Sequence, residues 1–119
     1  YSSSKSILGV CLGHQAIGEA FGGSLINLSE VLHGVASEVT VQDDVLFKDI
    51  PQTFKIGRYH SWVIDESTLS SDLEVIARTP DQQIMAVRHK NFDVRGVQFH
   101  PESILTENGV KIMQNWLES

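Results

Sequence analysis

Cysteine, basic residues and long apolar runs are all scarce in this chain. A single Cys among 119 residues excludes a disulfide within the sequence, and such low cysteine use is typical of a reducing cytoplasm. The 9 Lys and Arg against 15 Asp and Glu give a net charge of −6, which disfavours a nucleic-acid-binding surface. No apolar run approaches the roughly 20 residues of a membrane-spanning helix. We therefore expect a cytoplasmic protein with no nucleic-acid partner and no membrane partner.

Residues that bind metals are also sparse. Five His and the one Cys are scattered without the spacing of metal ligands, so we predict no metal site and no cofactor. A hydrophobic content of 41% and a charged content of 20% are those of an ordinary globular domain. Because the first residue is Tyr and an apolar strand follows almost at once, we expect residues 1–119 to be the C-terminal portion of a single longer domain.

The sequence GVCLGHQ at residues 9–15 has the pattern of a sharp turn between a strand and a helix. The apolar run Ser6–Val10 before it predicts a buried strand. The segment Gln15–Phe21 after it repeats small and apolar residues at a spacing of four, as one face of a helix does. Cys11 therefore lies at the position that a nucleophile occupies in turns of this kind.

The residues around Cys11 suit a reactive thiol. Gly9 and Gly13 flank the turn, where we expect any Cβ to clash with the crowded backbone. A thiol at a helix N-terminus is favoured as the thiolate, and the amide of Leu12 can donate to an oxyanion. Taken alone, the motif leaves open that Cys11 is a buried, small hydrophobic residue.

A second polar motif follows a strand near the end of the chain. The segment Val94–Phe99 predicts a strand, and His100, Pro101 and Glu102 come directly after it. A Cys nucleophile needs a base, and the base needs an orienting acceptor, which His100 and Glu102 can supply. Because open α/β sheets place their sites at the carboxyl ends of strands, we expect His100 to lie near Cys11.

The other segments predict a mixed sheet, parallel near Cys11 and with an antiparallel portion beside it. Alternating or apolar runs indicate strands at Ser24–Leu28, Ser37–Gln42, Leu73–Arg78 and Ile84–His89, and Thr53–Ile64 indicates a strand that leads into a loop and a further strand. His89 is expected on the solvent side of its strand, and His33 in a loop. Thr106–Leu117 predicts a helix with Thr106 as its N-cap, and an apolar stripe that we expect in the core is formed by Val110, Met113, Trp116 and Leu117.

The two motifs GVCLGHQ and GVQFHPES together resemble the class I (triad) glutamine amidotransferase family. The resemblance implies an α/β fold of flavodoxin-like type, with flanking helices and N-terminal strands that precede this segment. Within the family, His14, the tetrad at 58–61 and the segment 100–106 are most similar to the amidotransferase component of anthranilate synthase or of aminodeoxychorismate synthase. The residues do not separate these two.

The resemblance also implies roles for individual residues. Cys11 resembles the nucleophile, His100 the general base and acid, and Glu102 the residue that orients it. The substrate, glutamine, would be held by groups that match the Leu12 amide, the Gln15 side chain and the loop pair Ser61 and Trp62. Trp62 departs from the family pattern, in which a Leu is more usual. The ammonia released would pass to a synthase subunit that uses chorismate.

A second oxyanion donor is expected, by the same resemblance, in a Gly-rich loop upstream of the nucleophile strand. Since loss of one such donor costs about a hundred- to a thousand-fold in rate, we expect residues 1–119 alone to be a poor glutaminase. Two other functions stay open on the residues. One is a free-standing cysteine hydrolase of γ-glutamyl or peptide bonds, and the other is a non-catalytic interaction domain of the same fold.

Overall fold

The computed structural model describes residues 5–27, 35–58, 62–101, 103 and 106–118. Within these ranges the strands are β1 Ile7–Val10, β2 Leu25–Asn27, β3 Val35–Val41, β4 Thr53–Arg58, β5 Trp62–Ile64, β6 Leu73–Arg78, β7 Ile84–His89 and β8 Val94–Val97. The α-helices are α1 Leu12–Ala20 and α2 Gly109–Leu117, and short 3-10 turns lie at Val45–Phe47 and Glu66–Thr68. No helix in the described part of the chain is long and apolar enough to cross a membrane.

The larger sheet has the strand order β1-β8-β7-β6-β3-β4, and β2 and β5 form a separate antiparallel pair. β1 and β8 are parallel, whereas the other neighbouring strands of the larger sheet are antiparallel. The predicted mixed sheet is confirmed. In the parallel pair Val10 lies opposite Val97, so the residues that follow β1 and β8 emerge at the same edge.

Two buried apolar clusters stabilise the sheet. One contains Ile17 of α1 and Val94 of β8, and the other contains Val97 of β8 and Ile112 of α2. Because side chains alternate along a strand, residues three apart such as Val94 and Val97 point to opposite faces. Each α-helix therefore covers a different face of β8, and α1 lies on the face that carries Gly96.

The helix α2 differs from its prediction. Thr106 does not cap it: Asn108 holds the N-cap position, and the Thr106 hydroxyl accepts a hydrogen bond from the Gly57 amide at 2.9 Å. The predicted apolar stripe is wrong for Val110 and Leu117, which are each 72% exposed, and confirmed for Trp116, which packs against the buried cluster that contains Ile112. The buried residues of the helix are instead Gly109, Ile112 and Asn115. Asn115 is held there because its side-chain amide donates to the carbonyls of Leu46 and Lys48 at 2.8 and 2.9 Å.

His89 also lies in a different environment from the one expected. It is only 7% exposed, so the prediction of a solvent-facing position is wrong. Its Nδ1 accepts the backbone amides of Asn91 and Phe92, each at 3.0 Å. The ring stacks on Phe92 at a centroid distance of 4.4 Å and contacts Phe21 at 4.9 Å. The turn after β7 folds back over the ring and removes it from solvent.

Candidate active site

Cys11 occupies the turn between β1 and α1. β1 ends at Val10 and α1 begins at Leu12, so the chain reverses within one residue. Cys11 has φ 54° and ψ −100°, a backbone conformation that residues other than glycine rarely adopt. The turn is held on both sides, since the Cys11 amide donates to the Val97 carbonyl at 2.8 Å and the Cys11 carbonyl accepts from the Gln15 amide at 3.1 Å. The predicted strand–turn–helix geometry is confirmed.

The two flanking glycines have different roles. A Cβ at Gly9 would lie 2.6 Å from the backbone of Gly13 and 2.8 Å from the side chain of Ile17, so α1 crosses directly over the strand there. At Gly13 nothing lies within 4 Å of the Cβ position. The expectation that any Cβ would clash is therefore right for Gly9 and wrong for Gly13, because Gly13 faces open space beside the turn.

A third glycine lets α1 approach β8. A Cβ at Gly96 would lie 2.7 Å from Nδ1 of His14, which is fully buried under the helix. The α1 residues that pack inward are His14, Gln15, Ile17 and Gly18. Leu12, by contrast, points its side chain outward and is 77% exposed. Any part that Leu12 takes in the chemistry therefore falls to its backbone amide, which stands at the first position of the helix.

Gln15 joins three elements through hydrogen bonds. Its Nε2 donates to the backbone carbonyl of Trp62 at 3.0 Å and to Oε1 of Gln98 at 3.3 Å. Gln98 in turn directs Nε2 toward the Sγ of Cys11 at 3.7 Å. Gln98 is fully buried and Gln15 is 7% exposed, so the bond between them is shielded from water, whereas the contacts with Trp62 and Cys11 are partly buried. Since both hydrogens of the Gln15 amide are engaged, contact between Gln15 and a substrate would have to be made through its Oε1.

Gln98 was not singled out from the sequence. Its signal is a polar residue in an apolar strand: Val97 and Phe99 on either side of it are fully buried in the core. By alternation, Gln98 lies on the same face of the strand as Gly96, which is the face covered by α1. A buried amide there needs hydrogen-bond partners, and Gln15 and Cys11 supply them.

His100 follows β8 at the edge of the sheet where Cys11 follows β1. The backbone amide of Gln98 donates to the backbone carbonyl of Met85 at 2.7 Å, and the His100 carbonyl accepts from the backbone amide of Ser103 at 3.1 Å. Backbone hydrogen bonds therefore hold the segment on both sides of His100. His100 is partly exposed and Pro101 is buried. Topology therefore brings His100 to the edge that carries Cys11. Glu102 and Ser61 lie outside the described residues, as do His33, Tyr59 and His60.

Trp62 begins β5 and is 45% exposed. Its carbonyl is the acceptor for Gln15, so β5 is joined to α1 through the backbone of the expected substrate loop. Among the described residues no group of three or more His, Cys, Asp or Glu could hold a metal ion. The roles of Cys11, His100, Leu12, Gln15 and Trp62 in chemistry stay predictions.

Comparisons with known proteins place this geometry in a family. The model of the family described as "Glutamine amidotransferase class-I" matches residues 1–119. Anthranilate synthase component 2 of Pyropia yezoensis is 47% identical over 119 residues, which cover 99% of this chain and 63% of that protein. Aminodeoxychorismate synthase component 2 of Klebsiella aerogenes is 44% identical over 117 residues, which cover 98% of this chain and 63% of that protein.

A solved structure has a similar fold. A Thermoplasma acidophilum protein provisionally assigned to GMP synthase superposes with a TM-score of 0.85 at 28% identity, covering 94% of this chain and 55% of that one. The chain thus spans about three fifths of the length of the curated relatives named above, at 63% of each. With the family model matched from the first residue to the last, the chain belongs to the class I glutamine amidotransferases.

Proposed function

We propose that this chain carries the glutamine-hydrolysing centre of an amidotransferase that supplies ammonia to a chorismate-using synthase. The observation that carries the proposal is Cys11 in a positive-φ turn between β1 and α1, where β1 pairs with β8, the strand that leads into His100. A strained, glycine-flanked cysteine at a helix start is the arrangement expected of an activated thiol nucleophile. The family match over residues 1–119 supports glutamine as the substrate.

The chemistry follows from the groups in place. The Cys11 thiolate attacks the carboxamide carbon of glutamine, and the tetrahedral oxyanion accepts a hydrogen bond from the Leu12 amide. The C–N bond then breaks as His100, which holds the proton taken from the Cys11 thiol, gives that proton to the departing nitrogen. The nitrogen leaves as ammonia, and a γ-glutamyl thioester remains on Cys11. His100 next takes a proton from water, whose oxygen attacks the thioester carbon, so that glutamate leaves and the thiolate returns.

The remaining residues serve this reaction through position. Glu102 would orient the imidazole of His100, as an acidic partner does in other triads. Gln15, Ser61 and Trp62 would hold the α-amino and α-carboxyl end of glutamine. Trp62 is well suited to do so through its backbone, because the residue is 45% exposed and its side chain is not part of the buried core. A Trp in place of the more usual Leu then leaves the contact intact.

The partner is proposed to be the synthase subunit that makes anthranilate or aminodeoxychorismate from chorismate. Relatives named as the second component of each enzyme are similarly close, at 47% and 44% identity, so both partners remain candidates. Ammonia released into water would take up a proton and lose its nucleophilicity, which favours direct transfer to a bound partner. A cytoplasmic location fits such a biosynthetic role and belongs to the same proposal.

The nucleophile is tested by Cys11→Ser in the full-length protein. Glutamate release from glutamine should fall by about a thousand-fold or more, because a Ser hydroxyl beside the same His is a far weaker nucleophile. A diazo-ketone analogue of glutamine should label Cys11 in the unchanged protein and leave the variant unlabelled. Ser71→Ala, which removes an exposed hydroxyl away from the turn, serves as the control and should retain activity. Normal turnover by Cys11→Ser would exclude the proposed mechanism.

A further inference from the structure

A directional chain of amide hydrogen bonds runs from β5 to the nucleophile. It starts at the Trp62 carbonyl, passes through Nε2 of Gln15 and Oε1 of Gln98, and ends with Nε2 of Gln98 facing Sγ of Cys11. The three contacts measure 3.0, 3.3 and 3.7 Å. Cys11 and Gln98 are 87 positions apart in sequence, so this contact exists only because β1 and β8 pair.

The Trp62 carbonyl sets the donor-to-acceptor direction of these hydrogen bonds. A backbone carbonyl can only accept a hydrogen bond, so the end of the Gln15 side chain that faces Trp62 must be the NH₂ group. That same NH₂ group contacts Gln98 and therefore meets its oxygen. The other end of the Gln98 amide, which faces Cys11, is then the NH₂ group. The sulfur of Cys11 consequently faces a donor and not an acceptor.

We propose that Gln98 is a further catalytic residue, which stabilises the thiolate of Cys11 through a hydrogen bond from Nε2 to Sγ, with Gln15 as the positioning residue that fixes the orientation of the Gln98 amide. This inference rests on the proposed function in that Cys11 is taken as the nucleophile. An N–H group directed at sulfur stabilises the charged thiolate more than the neutral thiol. The contribution adds to that of the α1 N-terminus, which acts on the same atom.

Burial makes the donor effective. Gln98 is fully buried, Gln15 is 7% exposed and the hydrogen bond between them is buried, so water competes little for the bond that orients the donor. The side-chain amide of Gln98 is also restricted in rotation, because flipping it would place its NH₂ group against the NH₂ group of Gln15. The donor is thus in place before substrate arrives.

The substitution Gln98→Met tests the donor, because Met has a similar length and no N–H group. The pH dependence of alkylation of Cys11 by iodoacetamide, read by mass spectrometry of the peptide that carries Cys11, gives the pKa of the thiol in the full-length protein. We expect the midpoint to rise by about one pH unit, so that the thiolate fraction below the midpoint falls about ten-fold. In Gln98→Glu the carboxylate faces the sulfur, and the midpoint should rise further than in Gln98→Met.

The turnover of the same variants should follow the pKa of the Cys11 thiol. We expect kcat of Gln98→Met to fall by about ten-fold at neutral pH with little change in KM, and the defect to shrink as the pH rises through the new midpoint. Gln15→Met should move the midpoint in the same direction by less, because it frees the Gln98 amide to rotate without removing it. A purely structural role would lower the thermal midpoint without moving the alkylation profile.

A matched control is available in Asn115→Leu. Asn115 is a second buried side-chain amide, 5% exposed, whose hydrogen bonds go to the carbonyls of Leu46 and Lys48. Its loss should lower stability and leave the Cys11 midpoint unchanged. The titratable groups on the elements that contact Cys11 are His14 and Glu19 on α1, Arg95 on β8 and His100 after it, and none of them is altered by the Gln98 or Asn115 substitutions.

The outcomes separate this inference from the proposed function. If the unchanged protein releases glutamate but the midpoints of Gln98→Met and Gln98→Glu equal its own, the inference is wrong and the proposed function stands. Equal shifts in Asn115→Leu and Gln98→Met would also overturn it, because the effect would then be one of general packing. If the midpoints rise in the expected order while the unchanged protein fails to hydrolyse glutamine, the proposed function fails and the donor role to the thiolate is supported.

Discussion

Single residues set how closely α1 can pack against β1. Gly9 has no space for a side chain, since a Cβ would lie 2.6 Å from the backbone of Gly13, whereas the Cβ position of Gly13 is open. The clash at Gly9 is with backbone atoms, which cannot move aside as the end of a flexible side chain can. The tolerance of the two glycines for substitution should therefore differ sharply, although they stand symmetrically in the motif.

Gly9→Ala and Gly13→Ala form a matched pair. We expect Gly9→Ala to lower the free energy of unfolding by about 1–3 kcal/mol or more, because the added methyl overpacks the strand–helix contact. Gly13→Ala should leave stability unchanged or raise it by up to about 1 kcal/mol, because Ala is the better helix former and meets no neighbour. Urea unfolding of the two variants measures the difference. Equal destabilisation would contradict the packing described for α1.

His89 and His100 lie in different surroundings, so their substitutions should have different effects. His89→Leu should cost about 1–3 kcal/mol of stability, because it removes the acceptor of the Asn91 and Phe92 amides. Activity per folded molecule should be retained. His100→Asn should instead abolish glutamate release with little change in the unfolding midpoint, since His100 is partly exposed. Activity assays paired with thermal unfolding measure both, and an equal loss of activity in the two variants would argue against His100 as the base.

At the scale of elements, Asp44 joins the turn after β3 to two neighbouring strands. Its side chain is fully buried and bonds to Arg88 of β7 at 3.0 Å and to Arg95 of β8 at 2.8 Å. It also accepts the Leu46 amide at 3.2 Å, which starts the 3-10 turn at Val45–Phe47. Burial alone would lower the pKa of Arg88, but the hydrogen bonds to Asp44 and Glu74 outweigh it and raise that pKa above its ordinary value. One carboxylate thus anchors a turn and two strands.

Asp44→Ala should therefore be strongly destabilising. The change removes the partner of two cations and of one backbone amide, and we expect a loss of about 2–4 kcal/mol, moderated because Arg88 remains partly hydrated. The control is Glu66→Gln, which breaks the exposed ion pair with Arg78 and should cost less than about 1 kcal/mol. Chemical denaturation measures both, and a larger loss in Glu66→Gln would contradict this ranking.

The same control has a defined pH dependence. The hydrogen bond from Arg78 holds the pKa of the Glu66 carboxyl below its ordinary value in the folded protein. The stabilisation is therefore present above the unfolded-state pKa and is lost as the pH falls through the folded-state pKa. The small difference in stability between Glu66→Gln and the unchanged protein should vanish in acid, and a difference that grew as the pH fell would contradict this sign.

At the scale of the whole molecule, the proposed function needs a second protein to use the ammonia. With Cys11→Ser in complex with the synthase subunit, glutamine should no longer support product formation, whereas ammonium salts at high pH should restore it. The reason is that only the ammonia source has been removed. Product formation is measured with the anthranilate partner and with the aminodeoxychorismate partner. Failure of rescue with both would favour a free-standing hydrolase.

The elements nearest the chemistry were the most predictable. β1, the turn at Cys11 and the start of α1 depend on glycines and on spacings within a dozen residues, so their signals are local. The buried face of α2 was not fully predictable, because Val110 and Leu117 are apolar yet exposed, whereas the polar Asn115 is buried and hydrogen-bonded to the Leu46 carbonyl. The prediction for His89 was wrong because alternation within β7 does not show that the following turn and the ring of Phe21 cover the imidazole.

The sequence by itself determined the family, the strand–turn–helix at Cys11 and the presence of a Cys motif and a His motif in one chain, because each rests on short-range residue patterns. Only the tertiary structure decided that Gln98 faces Sγ of Cys11, that Gly13 borders open space, and that Gln15 bonds to the Trp62 carbonyl. These facts depend on the pairing of β1 with β8 and on α1 packing across them. Such long-range register is set by the burial of the whole sheet, and no segment carries it alone.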